Sequence, residues 1–413
     1  MTDNAPRAAQ SSPVSVPPSV ASASPVHTGA VMFGLALGTF GIGTGEFSIM
    51  GLLPNVAHGL RISVPQAGDL IGAYALGVVV GAPLFAILVS RLSRRGQLLL
   101  LLSWFALGNL ASMLAPNYAT LLLFRFLSGF PHGAYFGAAA LLAASLAQPH
   151  QRGEAVGRVI LGLTIASLFG NPLATWLGQE MNWRYAFGSV AAIAVATLVW
   201  LHIFLPRRDD HSASSPMREL GALGNARVWL TLGIGAIGFG GMFAVISYVA
   251  PVLTTLAQMP PAWLPFALAA FGGGMIAGNL AGGWAADRAL MPSIGAILVW
   301  DILVLLVFPF SLNHVLTAFV GTFLIGSNMA LVAPLQLRLM DVAADAQTLA
   351  ASLNHSAFNL ANALGAFLGG WVISSRHGLQ DTAYFGALLP LGGLLLFAYA
   401  YLHERRVHAR RAA

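Results

Sequence analysis

Four ionisable residues interrupt long apolar stretches of the sequence, and they are the side chains best suited to do chemistry there. They are Glu46, Arg125, His132 and Asp301. An ionisable group at the centre of a membrane span costs about 3 kcal/mol on insertion scales and is a functional candidate by default. An apolar cavity favours the neutral form of a carboxyl group, and a nearby cation favours its charged form. A carboxyl group placed between the two can exchange a proton for a substrate contact. These residues therefore indicate proton handling inside a membrane.

Glu46 and Arg125 fall at similar depths in their predicted spans. Glu46 precedes the outer end of the first span by about eight residues, and Arg125 follows the outer start of the fourth by about seven. At 1.5 Å per residue, both lie roughly 10–12 Å below the outer surface. We hypothesise that Glu46 is the proton-coupling acid and that Arg125 modulates it. The alternatives are a static ion pair, or a Glu46 that faces a water-filled vestibule without coupling.

His132 follows Arg125 by seven positions, which places both on one helix face with His132 deeper. Histidine titrates near neutral pH, so His132 is assigned to proton relay or substrate binding, with a hydrogen-bonded structural role as the alternative. Asp301 lies in the middle of the ninth predicted span and is interpreted as structural or inward-paired.

The sequence carries no His-Glu-x-x-His cluster. We therefore expect no catalytic residue, no metal site and no enzyme.

The composition indicates a polytopic membrane protein. Of 413 residues, 57% are hydrophobic and only 8% are charged, and the mean hydropathy is +0.75. Ordinary soluble domains have about 25% charged residues, and disordered chains have low hydrophobicity. The chain has no Cys, which excludes a disulfide scaffold, and all 20 cationic residues are Arg. An ATP-driven pump is also excluded, because its phosphate-binding loop needs a Lys.

Twelve segments are long and apolar enough to span a membrane, which takes about 20 residues. A polar stretch at 206–227, predicted to be a cytoplasmic linker, separates two six-helix bundles at 29–205 and 228–403. Residues 1–28 are predicted to be a disordered cytoplasmic tail and 404–413 a basic one. The predicted spans are 29–55, 68–90, 97–115, 118–147, 154–177, 185–205, 228–257, 262–285, 292–311, 314–338, 347–374 and 381–402.

The Arg residues lie mainly on one side of these spans. Sixteen of the 20 fall on the side of the termini, three on the other side, and Arg125 inside a span. The positive-inside rule therefore places both termini in the cytoplasm. The basic isoelectric point of about 10.2 then reflects topology, and we expect no nucleic-acid partner.

The two halves of the sequence are related by an offset of 197 residues. Glu46, Arg125 and His132 map at this offset to Phe243, Thr322 and Met329, so the charge is confined to the first half. Coincidence in a Gly-, Ala- and Leu-rich chain is the alternative. The matches are Pro54 with Pro251, Arg91 with Arg288, Phe126-Leu127-x-Gly129 with Phe323-Leu324-x-Gly326 and, near offset 195, Gly170 with Gly365 and Trp176 with Trp371.

Over residues 29–403 the sequence resembles the major facilitator superfamily. The segments GEFSIMGLLPNVA, FRFLSGFPHGAYFGAAALLAASL and GLTIASLFGNPLATWLGQEMNWRYAF resemble its twelve-helix drug:proton antiporter branch, and within it the AraJ/YdhP-like inner-membrane transporters. The resemblance implies an all-α membrane protein with two pseudo-symmetric six-helix bundles in the bacterial inner membrane. It also implies a substrate site between the halves, energised by the proton gradient without a cofactor.

Two motifs carry part of this resemblance. The superfamily has the loop motif Gly-x-x-x-Asp-Arg-x-x-Arg-Arg, and this sequence has Ala86 and Ser90 in place of the Gly and the Asp. A contact between the two halves that depends on that Asp is therefore not supported here. Asn171 departs from the small residues usual in the motif of the fifth span. The loop motif is assigned to Ser90, Arg91, Arg94 and Arg95, with Asp287 and Arg288 in the second half, and the helix-5 motif to Gly162, Gly170 and Pro172.

Polar stripes mark two further spans. Thr164, Ser167 and Asn171 share one helix face, as do His355, Asn359 and Asn362, and packing between the halves is the favoured interpretation. Asn171 and Asn359 are the better ligand candidates. Tyr74 and several other aromatic residues are plausible cavity or packing residues. The candidates for a substrate cavity are Tyr135, Asn171, Phe243, Tyr248, Asn328, Gln336, His355 and Asn359.

These observations favour a secondary transporter that exports a small organic molecule, such as a drug, a sugar or a metabolite, in exchange for protons. A proton-coupled uptake symporter and a ligand-sensing transceptor are the alternatives. The expected partners are the substrate, protons and membrane lipids, and the expected state is a monomer.

Overall fold

The computed structural model describes residues 28–89, 91–148, 151–206, 224–343, 347–375 and 377–412. Every regular element within these ranges is a helix. A helix satisfies all its backbone hydrogen bonds within one segment, which a hydrocarbon environment requires. The predicted N-terminal tail up to residue 27 and residues 207–223 of the predicted linker lie outside the described ranges.

Within the described ranges, ten helical segments are long and apolar enough to cross a membrane. Pro261–Ser311 has 51 residues, enough for two crossings, and bends at Ala289, where the backbone is extended (φ −158°, ψ 85°). Tyr118–Gly129 and Pro131–Leu146 form one further span broken at Phe130. Counting these two features gives the twelve spans that the sequence predicts.

We number these spans α1 to α12, with α1–α6 forming the first half and α7–α12 the second. Most bounds lie within a few residues of the predicted ones. Two larger differences are that only the bend at Ala289 separates α8 from α9 and that α12 continues helically through the predicted basic tail. The spans are α1 Thr28–Leu60; α2 Val64–Leu88; α3 Arg94–Leu114; α4 Tyr118–Gly129 and Pro131–Leu146; α5 Arg152–Ile165, Ala166–Gly170 and Asn171–Glu180; α6 Arg184–Phe204; α7 Ala226–Gly238, Gly240–Ile246 and Val249–Thr255; α8 and α9, the two parts of Leu264–Ser311; α10 Val315–Ser327, Asn328–Leu331 and Val332–Ala343; α11 Gln347–Ser374; and α12 Asp381–Gly386 and Leu388–Ala412.

The packing of the two halves repeats at the offset of 197 residues. A side chain on Gly77 of α2 would collide with the carbonyl oxygen of Phe126 on α4, and the equivalent Gly274 of α8 stands in the same relation to Phe323 on α10. Small residues at such positions let membrane helices approach closely. The same correspondence holds for Gly81 with Phe130 and Gly278 with Ser327, and for Gly129 with Tyr74 and Gly326 with Phe271.

The two halves pack tightly at the end that carries the α1–α2 and α7–α8 connections, which we call the outer end after the predicted topology. Residues 41–53 of α1 and 238–253 of α7 are all buried, and the two stretches correspond under the repeat. Gly68 of α2 lies against the Tyr248 hydroxyl so closely that a side chain would collide with it. The outer end is therefore closed in this conformation.

Substituting Gly68→Leu is expected to open the outer end. Overpacking typically costs about 1–3 kcal/mol, which shifts the closed population by about five- to 150-fold. Because the chain has no Cys, spin labels on His58→Cys and Thr255→Cys report the distance between the outer ends of α1 and α7 without background labelling. The distance should lengthen in Gly68→Leu. It should stay unchanged in Gly157→Leu, the matched control, because Gly157 on α5 is exposed and a Cβ there meets no atom within 4 Å.

Candidate functional site

Arg125 on α4 is completely buried, and neutral groups hold its guanidinium. Its Nη1 donates a hydrogen bond of 3.1 Å to the carbonyl oxygen of Gly45 on α1. Its Cζ lies 4.3 Å from the centre of the Tyr74 ring on α2 and 5.5 Å from that of Phe187 on α6. Among the described residues, its Nε and Nη2 have no hydrogen-bond partner. A carbonyl and two aromatic faces thus stabilise the cation.

Glu46 is also buried, at 6% exposure, and it contacts the other half of the protein. The Asn362 side chain on α11 donates from Nδ2 to Oε1 of Glu46 over 3.3 Å. The ion pairs within 4.0 Å found among the described residues do not include Glu46 with Arg125. Arg125 nevertheless lies beside Glu46, because it donates to the carbonyl of Gly45, the preceding residue. In this conformation Glu46 is therefore influenced by Arg125 without being locked into a salt bridge with it.

A line of aromatic and imidazole groups continues from Arg125 to the second half. The Tyr74 hydroxyl and Nδ1 of His132 are 3.0 Å apart, within hydrogen-bond distance. The His132 ring centre is 6.2 Å from that of His355 on α11, and Phe136 packs against both rings at 5.1 and 5.0 Å. Arg125 and His132 both contact Tyr74, so they share the helix face that their spacing predicts.

An aromatic cluster adjoins Glu46 where the halves meet. The Phe47 ring on α1 stacks on Phe243 of α7 at 6.3 Å and lies 6.4 Å from Phe271 of α8. Phe239 packs edge-on against Phe243 at 5.5 Å. Phe243 is therefore at the interface between the halves, and in this conformation it is buried, so its role toward a substrate stays a prediction.

Three predicted polar cavity residues carry buried acceptors without partners. Asn171 on α5, Asn328 on α10 and Asn359 on α11 are each at most 4% exposed. Their Oδ1 atoms have no hydrogen-bond partner among the described residues, and Oδ1 of Asn362 has none either. An unsatisfied buried acceptor is destabilising, so each of these oxygens can gain from a donor group on a ligand.

Three other predicted cavity residues form hydrogen bonds within their own half. The Tyr135 hydroxyl donates to the carbonyl of Leu35 on α1 at 3.2 Å, and Gln336 accepts a 2.6 Å hydrogen bond from the Asn354 side chain. Tyr248 donates to the carbonyl of Ala366 on α11 while its ring seals the outer end. Their roles toward a substrate stay predictions.

The loop motif works as a helix cap in the first half. Arg95 donates to the carbonyl oxygens of Leu205 and His202, the latter at 2.8 Å, at the end of α6, where a cation is favourable. Ser90 lies outside the described ranges, and Arg91 is exposed while Arg94 is half-buried. In the second half, Arg288 packs 3.7 Å from the ring centre of Trp284, and Asp287 is exposed.

The helix-5 motif brings α5 against α1. Side chains on Gly162 and Gly170 would collide with the Ala36 carbonyl and the Thr44 hydroxyl. The turn Ala166–Gly170 is π-helical. Pro172 follows it, and since proline has no N–H to donate, it disturbs the hydrogen bonding of the preceding turn.

Asp301 on α9 faces inward, but its expected partner is not found. It is 1% exposed, and both carboxyl oxygens lack a hydrogen-bond partner among the described residues. Leu298 and Leu305, about one turn to either side, approach Gly238 and Gly241 of α7. Asp301 thus lies inside the second half.

Sequence reasoning missed two contacts of this site. Tyr74 was expected only as a cavity or packing residue, and Asn362 as a packing residue. The spacing of Arg125 and His132 places them on one side of α4, but it does not show which residues of α2 pack against that side. It therefore could not predict that Tyr74 contacts both. A polar residue at an interface position of α11 is the one available signal for Asn362.

Substitutions at Tyr74 should distinguish the contribution of its ring to stability from that of its hydroxyl. Tyr74→Leu removes the aromatic face over a desolvated cation and should lower the free energy of unfolding by about 2 kcal/mol. Tyr74→Phe keeps that face and loses one hydrogen bond, so its loss should be about 1 kcal/mol. Thermal or denaturant unfolding of purified protein in detergent measures both. Equal losses in the two variants would contradict a stabilising contact between the ring and Arg125.

The family model of the Major Facilitator Superfamily matches residues 35–354. The chain is 40% identical over 366 residues to the inner membrane transport protein YdhP of Escherichia coli K12, covering 88% of this chain and 94% of that protein. It is 36% identical over 372 residues to the putative transporter AraJ of the same organism (89% and 94%). It is 29% identical over 372 residues to a chloramphenicol resistance protein of Streptomyces lividans (88% and 94%).

Among solved structures, the fold is similar to that of a bacterial homologue of the human lysosomal transporter Spinster in an inward-facing, occupied conformation. The TM-score is 0.70 at 17% identity, with 93% of this chain and 98% of that chain covered. The expected fold class and resemblance are thereby confirmed. The chain belongs to the Major Facilitator Superfamily and is a membrane transporter rather than an enzyme.

Proposed function

We propose that this transporter exports a small organic molecule in exchange for protons, with Glu46 as the proton-carrying group. The observation that supports this proposal is the hydrogen bond from Asn362 to Glu46, which joins the two halves at a buried carboxyl group. Alternating access requires the halves to separate at the outer end, and this contact then breaks. Closure of the outer end therefore buries Glu46 against the second half, and this burial couples its protonation to the arrangement of the halves.

The coupling follows from the cost of burying charge. A neutral carboxylic acid is buried behind the Phe47–Phe243 pair at lower cost than a carboxylate. Proton uptake from the outer side therefore favours closure of the outer end. Arg125 opposes this preference because it stabilises the carboxylate, so Glu46 is able to release the proton once the inner side is accessible. Substrate binding in place of the proton would complete the exchange.

The Tyr74–His132–His355 line supplies a polar route from the Glu46 region into the second half. Tyr74 and His132 are within hydrogen-bond distance, and His355 lies across the interface. Histidine and tyrosine both donate and accept protons. This supports the assignment of His132 to proton relay, with a structural hydrogen bond to Tyr74 as the alternative.

The second half is proposed to supply the apolar and amide contacts to substrate. Phe243, Thr322 and Met329 stand where the first half has Glu46, Arg125 and His132. The unpartnered amide oxygens of Asn328 and Asn359 suit a substrate with hydrogen-bond donors. The chloramphenicol resistance protein among the relatives supports export and a drug-like substrate class. Sugars and metabolites remain in the proposed class.

The orientation, energy source and functional unit belong to the same proposal. The Arg distribution supports cytoplasmic termini, and the name of the YdhP relative supports the inner membrane. The proton gradient is the proposed energy source, with no cofactor, and a single chain is the proposed functional unit. Uptake symport is the rival mechanism. Adding substrate to inside-out vesicles distinguishes them, because antiport and symport change the luminal pH in opposite directions.

Glu46→Gln should abolish proton-driven transport while preserving the fold. Its amide keeps an oxygen that can accept from Asn362 and never ionises. A growth-inhibition panel comparing expressing and non-expressing cells identifies a substrate, and chloramphenicol is its first member. In vesicles, pH-driven transport of that substrate should then fall to background, whereas substrate-for-substrate exchange across vesicles should persist.

Glu154→Gln is the matched control, because Glu154 is an exposed carboxylate paired with Arg158 four residues away. Its pH-driven transport should equal that of the unmodified protein. Full proton-driven antiport in Glu46→Gln would refute the assignment of Glu46. Loss of both pH-driven transport and exchange, with an unchanged melting temperature, would instead make Glu46 a substrate-binding residue.

A further inference from the structure

A lateral groove of about 480 Å³ lies between α2, α4 and α11, near the outer end. Its lining is apolar apart from one residue and includes Gly72, Leu76, Leu123 and Phe367. The Leu76, Leu123 and Phe367 side chains are 45%, 52% and 68% exposed. Large apolar side chains exposed on a membrane-spanning protein face lipid, so the groove is accessible from the hydrocarbon region.

Among the described residues that line the groove, Asp69 on α2 is the one ionisable side chain. It is exposed, and its Oδ2 accepts a 2.9 Å hydrogen bond from the hydroxyl of Tyr118, the first residue of α4. Asp69 is five residues from the start of α2 at Val64, or about 8 Å along the helix. Tyrosine is typical of the boundary between head groups and hydrocarbon. A carboxylate therefore stands at head-group depth above an apolar groove.

We propose that this groove binds a membrane phospholipid with a primary ammonium head group. One acyl chain lies along Leu76, Leu123 and Phe367, and the ammonium donates to Asp69. Charge complementarity selects this occupant: a primary ammonium offers three N–H donors to a carboxylate that, among the described residues, accepts one hydrogen bond, from Tyr118. A quaternary ammonium has no such donor, and an anionic head group is repelled by Asp69.

The bound lipid would contact both halves of the transporter. Ala363 and Phe367 on α11 line the groove together with α2 and α4, and Ala363 follows Asn362, the residue that contacts Glu46. When the halves separate at the outer end, α11 moves away from α2 and α4, and the groove loses one of its walls. A ligand that prefers one of two conformations shifts the equilibrium toward it. The lipid accordingly stabilises the outer-closed arrangement, whatever the substrate and the direction of transport.

Native mass spectrometry of the purified full-length protein tests this proposal. The probes are phosphatidylethanolamine, phosphatidylcholine and phosphatidylglycerol with identical acyl chains. The unmodified protein should bind phosphatidylethanolamine about fivefold better than either of the others, the size of one exposed ion pair. Asp69→Asn should remove this preference. Gly72→Leu, which fills the groove, should reduce binding of all three lipids.

Asp341→Asn is the control, since Asp341 is exposed on α10 and does not line the groove. It should keep the full lipid preference, and unchanged melting temperatures should show that all variants are folded. Equal binding of the three lipids to the unmodified protein would overturn the proposal. An undiminished preference in Asp69→Asn, or undiminished binding in Gly72→Leu, would also overturn it. Displacement of all lipids by a long-chain alkylamine, with no preference among the phospholipids, would assign the groove to a cationic amphiphile.

Discussion

The burial of the Arg125 guanidinium is the constraint on which the rest of the site depends. A cation with no exposed surface must be compensated locally, and here the compensation is the Gly45 carbonyl and the rings of Tyr74 and Phe187. These groups come from α1, α2 and α6, so Arg125 holds four helices of the first half in register. A backbone carbonyl accepts the hydrogen bond of Nη1, while the neighbouring Glu46 side chain interacts with Asn362 of the second half.

The internal repeat explains how one scaffold carries two different surfaces. Glycines at equivalent positions bring α2 against α4 and α8 against α10 in the same way. On this common frame, Phe243 and Phe271 occupy the places of Glu46 and Tyr74, and both pack against Phe47. The second-half counterparts of the polar site thus form part of the apolar surface beside it. Because the charged residues are confined to one half of the repeat, the interface has a polar side and an apolar side.

The sequence predicted the parts of this structure that depend on composition and periodicity. Twelve spans, the repeat and the similar depth of Glu46 and Arg125 follow from apolar length and helical rise. The Asn362–Glu46 contact could not be predicted, because it joins residues 316 apart in sequence through the docking of two bundles. The lateral groove was missed for the same reason, since its walls come from three helices. The predicted connection at 286–291 contains the bend at Ala289, but the sequence did not show that the chain is helical right up to both sides of that bend.

The amide of Asn362 is suited to a partner that gains and loses a proton. Its Nδ2 donates equally to a carboxylate oxygen or to the carbonyl oxygen of a neutral acid, and its unpartnered Oδ1 can accept from the acid hydroxyl. The contact therefore survives protonation, and what changes is the charge that Glu46 presents to Arg125. A basic residue at position 362 would instead hold the carboxylate ionised, and an apolar residue would leave it without a donor. An amide at this position lets the electrostatic balance with Arg125, rather than the interface contact itself, respond to the proton.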